Sequence, residues 1–233
     1  MLPPDDDPAL QALDALYADR SGGDWWDRFY ADRHKPVPFF GSAPDECLVE
    51  WVGADLVAPG AALDLGCGNG RNAVYLAQQG FSVDAVDQSA TACAWARERC
   101  QAAGVNVRLH HVSLWQHPVA PASLDLVIDS GCFHHLPPHR RGPYVQRVAA
   151  ALKPGGWFSM VCFRPEGGSG LTDEQVLAQH SLGGGLGYTE AQLRSHWGTA
   201  LQVHTLRPMR PQPAGGALFG QPFLWALLAR KQG

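Results

Sequence analysis

The stretch AALDLGCGNGRNAVYLAQQGFSVDAVD, residues 61–87, decides the fold. Residues 61–65 form a short apolar run without periodicity, the mark of a parallel strand covered on both faces. The run stops at Gly66, Gly68 and Gly70, where alternating glycines let the chain turn sharply and let a ligand approach the main chain. From Arg71 to Gln79 the pattern becomes helical, with Ala73, Leu76 and Ala77 on one face and Gly80 as the stop. Residues 81–86 read as a second strand. It ends at Asp87, where a β-α-β nucleotide unit puts the acid that grips two ribose hydroxyls.

The spacing narrows the nucleotide. A dinucleotide fingerprint wants its third glycine one residue later, where Arg71 stands, which counts against a pyrophosphate. Asp64 at the end of the first strand would repel a phosphate but can hold a ligand ammonium group. Amine plus ribose points to an aminoacyl nucleoside. On these residues the chain resembles the class I S-adenosylmethionine-dependent methyltransferases. Their motif runs acid, apolar, Gly, x, Gly, x, Gly, and Asp64 to Gly70 match it.

Composition agrees with one soluble α/β unit, since 233 residues at 45% hydrophobic content fill a single core. A net charge of −4 without a long basic run argues against nucleic acid and for a small-molecule partner. No stretch has the roughly 20 apolar residues of a membrane span, and the N-terminus has no positive or apolar leader, so the expected location is cytoplasmic. The six cysteines lack disulfide or C-x-x-C spacing and are read as reduced thiols.

In chain order, a frayed tail over residues 1–8 precedes a short helix over 9–17. Trp25, Trp26, Phe29 and Tyr30, then Phe39 and Phe40, form an aromatic cluster. It reads either as a helix docked on the core or as a lid, since aromatic faces attract a sulfonium and exclude water. A helix over 45–56 flanks the sheet. Further helices are expected over 91–102 and 139–152, with strands over 105–112, 123–129 and 157–163 and a Lys153-Pro154-Gly155-Gly156 loop before the last. Residues 164–188 are glycine-rich and read as a mobile cover. Thr172 with Gln175, and Thr189 with Gln192, are capping-box patterns that start helices. Strands over 200–209 and 222–230 close the chain.

The resemblance implies a Rossmann-like fold: a seven-stranded, mostly parallel sheet of order 3-2-1-4-5-7-6, last strand antiparallel, between helices. One domain would span 1–233, with 1–58 as helical lid and flanking helix and 59–233 as core. S-adenosyl-L-methionine would be the cofactor and S-adenosyl-L-homocysteine the product. The implied cofactor residues are Asp64, Gly66, Cys67, Gly68, Gly70, Asn72, Asp87, Gln88, Ser89, Ser113, Leu114, Asp129 and Ser130. Many relatives carry an acid for the adenine amine where this chain has Ser113, a departure from the pattern. Trp26, Phe29, Tyr30, Phe39, Phe40 and Tyr188 are the substrate and lid candidates. The strings WDRFYADRHKPVPFF, LDLGCGNGRNA, DSGCFHHLPPHRR and GGLGYTE look like a bacterial small-molecule branch related to the tellurite-resistance and thiopurine types.

In-line methyl transfer needs alignment more than a base. Where the nucleophile loses a proton, His134 or His135 is placed to take it, although paired histidines also serve as plain loop contacts. Arg140 and Arg141 read as an anion-attracting pair or as a solvated helix face. Cys67, Cys132 and Cys162 end neighbouring strands and read as buried packing or as a thiol site for a soft metalloid; no resident metal is expected. A monomer or a homodimer fits equally. Two other readings remain open: an NAD(P)-dependent oxidoreductase, opposed by Arg71 and Asp64, and a non-catalytic nucleoside-binding protein.

Overall fold

The computed structural model describes residues 7–17 and 23–233, so the tail expected over residues 1–8 lies outside the described residues as far as residue 6. Seven strands form one sheet: β1 (Ala61–Leu65), β2 (Ser82–Asp87), β3 (Val107–His111), β4 (Leu124–Ser130), β5 (Leu152–Phe163), β6 (Gln202–Pro208) and β7 (Leu224–Arg230). Their order is β3-β2-β1-β4-β5-β7-β6. The pairs from β3 to β5 are parallel, and β7 runs antiparallel to both β5 and β6. This is the expected order.

Alternate residues of the central strands enter different cores, which is why their sequences show no polar face. Phe158, Met160 and Cys162 of β5 pack in one layer, and Trp157 and Val161 in the other. On β7, Trp225, Leu227 and Ala229 face the first layer, and Leu224, Ala226 and Leu228 the second. Helices α1 (Pro8–Ala15), α2 (Gly23–Ala31), α3 (Glu46–Gly53), α4 (Arg71–Gln78), α5 (Ala90–Ala103), α6 (Pro138–Ala151), α7 (Asp173–Gln179) and α8 (Glu190–Trp197) accompany the sheet. Tyr144, Val145 and Val148 of α6 and Leu193 and Trp197 of α8 fill the first layer. Leu48 and Trp51 of α3 and Ala73 and Leu76 of α4 fill the second. Among the described residues no helix is long and apolar enough to cross a membrane.

Local chemistry sets the helix ends. Ser89 caps α5 by accepting the Ala92 N–H, and Gly104 ends it at φ 65°. Both expected capping boxes form at α7 and α8. The structure departs from expectation in two places. Helix α3 stops at Gly53, short of the expected residue 56, because the N–H groups of Leu56 and Val57 both turn back to the Trp51 carbonyl. Lys153 to Gly156 do not form a separate loop: β5 starts at Leu152, and the ladder jumps from Leu124↔Leu152 to Leu126↔Trp157. That bulge needs Gly155 at φ 80°, and its N–H donates to the Lys231 carbonyl. The C-terminal end of residues 164–188, the expected cover, is tied to the core by two backbone bonds: Leu186 N–H donates to His134 O, and Tyr188 N–H to Phe163 O.

Candidate functional site

The glycine turn between β1 and α4 is shaped by its neighbours as well as by its own torsions. A Cβ on Gly66 would lie 2.1 Å from Cys132 Sγ, and one on Gly68 would lie 2.6 Å from Tyr30 Oη, so side chains are excluded at both. Asp87 fastens this turn to β2. Its Oδ2 accepts the Gly68 N–H and its Oδ1 the Ser89 N–H, each at 2.8 Å. Each oxygen keeps a second lone pair. Burial raises the Asp87 carboxyl above the usual range, against the pull of those two N–H groups.

A cavity of about 900 Å³ opens over the carboxyl ends of the strands, where open α/β sheets bind ligands. From the β1–β3 side it is lined by Gly66, Gly68, Asp87, Gln88, Ser113 and Leu114, and from β4 by Ser130, all among the expected cofactor residues. Asp64, Cys67, Gly70, Asn72, Ser89 and Asp129 stand behind the lining. Their partners explain them. Asn72 exchanges hydrogen bonds with Asp45, giving its Nδ2 hydrogen to Asp45 Oδ2 at 2.8 Å and taking the Asp45 N–H. Asp129 accepts the N–H groups of Gly131, Cys132 and Phe133 and the Tyr144 hydroxyl, and so holds the turn that presents the histidines. Burial pushes its pKa up to about 6, with those four bonds opposing. Asp64 is 2% exposed, and its Oδ2 has no hydrogen-bond partner. Desolvation pushes its carboxyl to about 8, opposed by the charge of Arg71.

Of the expected lid residues, Trp26, Phe29, Tyr30 and Phe39 line the cavity. Phe40 packs behind them, stacked on Tyr30 and edge-on to Trp95. Tyr188 lies in the core beside Phe133, away from the cavity lining. These N-terminal segments are tied to the sheet side by polar bonds. Asp27 on α2 accepts the Ser89 hydroxyl at 2.6 Å and the Thr91 N–H at 2.9 Å. Asn69 Nδ2 donates to the carbonyls of Phe39 and Phe40.

The two histidines come together. Their Nε2 atoms are 3.1 Å apart, His134 stacks on Phe163 with ring centroids at 3.8 Å, and His135 meets the Trp26 ring at 5.0 Å. Both line the cavity. The three cysteines do not converge: Cys67 lies in one core layer, Cys162 in the other, and Cys132 at the cavity wall. Burial raises all three thiols. Among the described residues no three His, Cys, Asp or Glu side chains are grouped to hold a metal ion.

Two contributors escaped the sequence reading. Arg71, 6% exposed, pairs with Asp45 at 2.7 Å, donates to Ser130 Oγ and lies over the Phe219 ring while lining the cavity. Asp14 on α1 takes Arg140 Nε on both oxygens at 2.9 Å and His139 Nε2 at 2.8 Å, making α1 part of the cavity wall. Arg140 is therefore a buried ion-pair partner. So is Arg141, which pairs with Asp173, and neither is a solvated face. Periodicity gives no signal for such distant pairs.

Residues 62–156 match the family model described as a methyltransferase domain. The 2-heptyl-1-hydroxyquinolin-4(1H)-one methyltransferase of Mycobacteroides abscessus is 30% identical over 105 residues, 45% of this chain and 46% of that protein. The chain spans between 23% and 48% of the length of the first curated relatives it matches. A structure described under the conversion of a disulfide bond into a thioacetal group during echinomycin biosynthesis aligns with TM-score 0.70 at 23% identity, covering 89% of this chain and 90% of that one. Burkholderia thailandensis 1,6-didemethyltoxoflavin-N1-methyltransferase, with 1,6-didemethyltoxoflavin and S-adenosylhomocysteine bound, aligns with TM-score 0.64 at 24% identity over 99% and 94%. The fold is the Rossmann-like fold of class I methyltransferases.

Proposed function

We propose that this chain is an S-adenosyl-L-methionine-dependent methyltransferase acting on a small molecule. The observation that carries this reading is one cavity of about 900 Å³ that joins the Asp87 carboxylate and the glycine turn to an aromatic lid. The residues fit the nucleoside. Asp87 has lone pairs for the two ribose hydroxyls. The unpartnered oxygen of Asp64 suits an ammonium group nearby, and the start of α4 favours a carboxylate. Ser113 and Leu114 flank the same space and are the candidates for the adenine.

The cofactor, when bound, supplies a methyl carbon already activated by a positive sulfur. The chain's share of the work is alignment and exclusion of water. Trp26, Phe29 and Phe39 put aromatic rings in the cavity wall, surroundings that favour a cation and disfavour water. The small-molecule assignment is supported by the largely apolar cavity wall, by a net charge of −4, and by two similar proteins named for small organic molecules. The finer placing, beside the tellurite-resistance and thiopurine types, rests on the sequence strings alone.

Calorimetric titration with S-adenosylmethionine, S-adenosylhomocysteine and NADH side by side tests the reading. Selective binding of the sulfur nucleosides is the expected result. Selective binding of NADH would overturn it in favour of a hydride-transfer enzyme. Binding without any turnover to S-adenosylhomocysteine across a broad acceptor screen would leave a nucleoside-binding protein instead.

A further inference from the structure

Helix α2 brings one polar atom down onto the glycine turn. Tyr30 Oη lies 2.6 Å from the place a Cβ on Gly68 would take, nearer than any carbon of its ring, so the side chain meets the turn hydroxyl first. Other rings hold it there: it stacks on Phe40 with centroids 5.5 Å apart and meets Trp95 and Phe29 edge-on. The residue is 7% exposed and lines the cavity. Among the described residues its hydroxyl has no hydrogen-bond partner, and Asp87, Cys67, Cys132 and Arg71 are the titrating neighbours that act on it. Burial first, and the Asp87 charge after it, hold the hydroxyl well above the ordinary phenol range, so it keeps its hydrogen and is a donor. Packing alone asks only for the ring, whereas a polar group this deep is ordinarily satisfied. Three residues earlier, on the same face of α2, Asp27 takes the Ser89 hydroxyl, and the Ser89 N–H goes to Asp87. One face of α2 thus rests on the glycine turn and beside the Asp87 carboxylate.

A methionyl nucleoside presents ribose hydroxyls, an ammonium group and a carboxylate. Asp87 and Asp64 answer the first two. For the carboxylate the cavity wall offers little free positive charge: its two arginines, Arg71 and Arg140, are paired with Asp45 and Asp14, and among the described residues no lysine lines it. Uncharged donors are left, namely the N–H groups at the start of α4 and a hydroxyl beside them. Tyr30 supplies the hydroxyl at that turn.

Resting on the cofactor reading above, we infer that Tyr30 is a donor-binding residue, giving its Oη hydrogen to the carboxylate of S-adenosylmethionine, and that donor binding and the closure of α2 are therefore one linked equilibrium. The bond exists only while α2 is down. The donor favours the closed form by the factor this bond adds to affinity, and closure raises affinity by the same factor. A loaded donor in this way helps to set Trp26 and Phe29, the rings that α2 adds to the cavity wall. S-adenosylhomocysteine keeps the same carboxylate, so its release requires the same bond to break.

Calorimetry on Tyr30→Phe, which keeps the ring, isolates the hydroxyl. S-adenosylmethionine and S-adenosylhomocysteine should each bind it ~10–100-fold more weakly than the wild type, the range for a hydrogen bond to a charged group. Decarboxylated S-adenosylmethionine, which lacks only the anion, should bind both proteins alike. Equal losses with all three ligands would make the hydroxyl a nucleoside contact or a structural one, and a loss confined to S-adenosylmethionine would put it at the methyl group; either overturns the inference. Hydrogen exchange on the wild type gives a second readout that needs no variant. Saturating S-adenosylhomocysteine should slow the amides of residues 23–31 by a comparable ~10–100-fold, and decarboxylated S-adenosylmethionine should slow them far less. Exchange over 23–31 that ignores S-adenosylhomocysteine would overturn the coupling. A folded Tyr30→Phe that binds S-adenosylhomocysteine as tightly as the wild type would overturn this inference and leave the cofactor reading standing. A wild type that binds none of the three ligands would overturn the cofactor reading, and this inference with it.

Discussion

A carboxylate whose two oxygens each accept one backbone N–H still has lone pairs to give, and Asp87 is in that position at the cavity wall. Asp87→Ala is expected to weaken S-adenosylmethionine binding by about 1.5–3 kcal/mol, the range for hydrogen bonds to a charged group. Calorimetry on the folded variant checks this, and unchanged affinity would remove the ribose role. Asp64 makes a different prediction. Its folded pKa, raised to about 8 by burial, lies above the unfolded value, so the folded state binds more protons between the two. The stability it contributes is full below about pH 4 and is lost as pH rises through about 8. Asp64→Asn should therefore lose less stability than the wild type between about pH 6 and 9, by ~1 kcal/mol or more, as read from urea midpoints. Sequence singled out both residues because their spacing from the glycine turn is local, and the structure puts Asp87 in the cavity lining and Asp64 behind it. The Asp14–Arg140 pair was not: 126 residues separate its members, and only the folded chain brings α1 onto α6.

At the scale of elements, Asp27 ties the middle of α2 to the start of α5 through two hydrogen bonds. Asp27→Ala should free α2 while leaving the sheet intact. A loss of roughly 1.5–3 kcal/mol would speed amide exchange over residues 23–31 by ~10–100-fold, with the amides of β1 and β4 unchanged. Uniform acceleration across the protein would show instead that the lid folds as one unit with the core. The sequence foretold elements wherever a few neighbouring residues decide the matter, as Thr172 with Gln175 and Thr189 with Gln192 do. It misjudged Lys153 to Gly156 because proline and glycine read as a loop, whereas the paired strand draws them into a bulge. Tyr188 was misplaced for a similar reason. Its burial goes with the backbone bonds that Leu186 and Tyr188 give to His134 and Phe163, contacts that glycine-rich sequence does not announce.

For the whole molecule, β7 is the member on which the far side of the sheet depends, since it pairs with β5 on one edge and β6 on the other. Leu228 on that strand is fully buried in the second core layer. Leu228→Ala should cost about 2–5 kcal/mol in urea unfolding, and a change under ~1 kcal/mol would mean the layer collapses around the space left behind. The strand order itself followed from the family resemblance rather than from periodicity, because parallel buried strands differ little from one another in sequence.

The cavity draws its walls from two territories. Asp87, the glycine turn and both histidines fall within residues 62–156, the stretch that matches the methyltransferase domain. Trp26, Phe29, Phe39, Phe163 and Phe223 fall outside it. Under the function proposed above, a lineage that drifts at those five rings would reshape the cavity wall while inheriting Asp87 and the glycine turn intact. The guest could then be exchanged by descent without the cofactor's cradle having to be invented again.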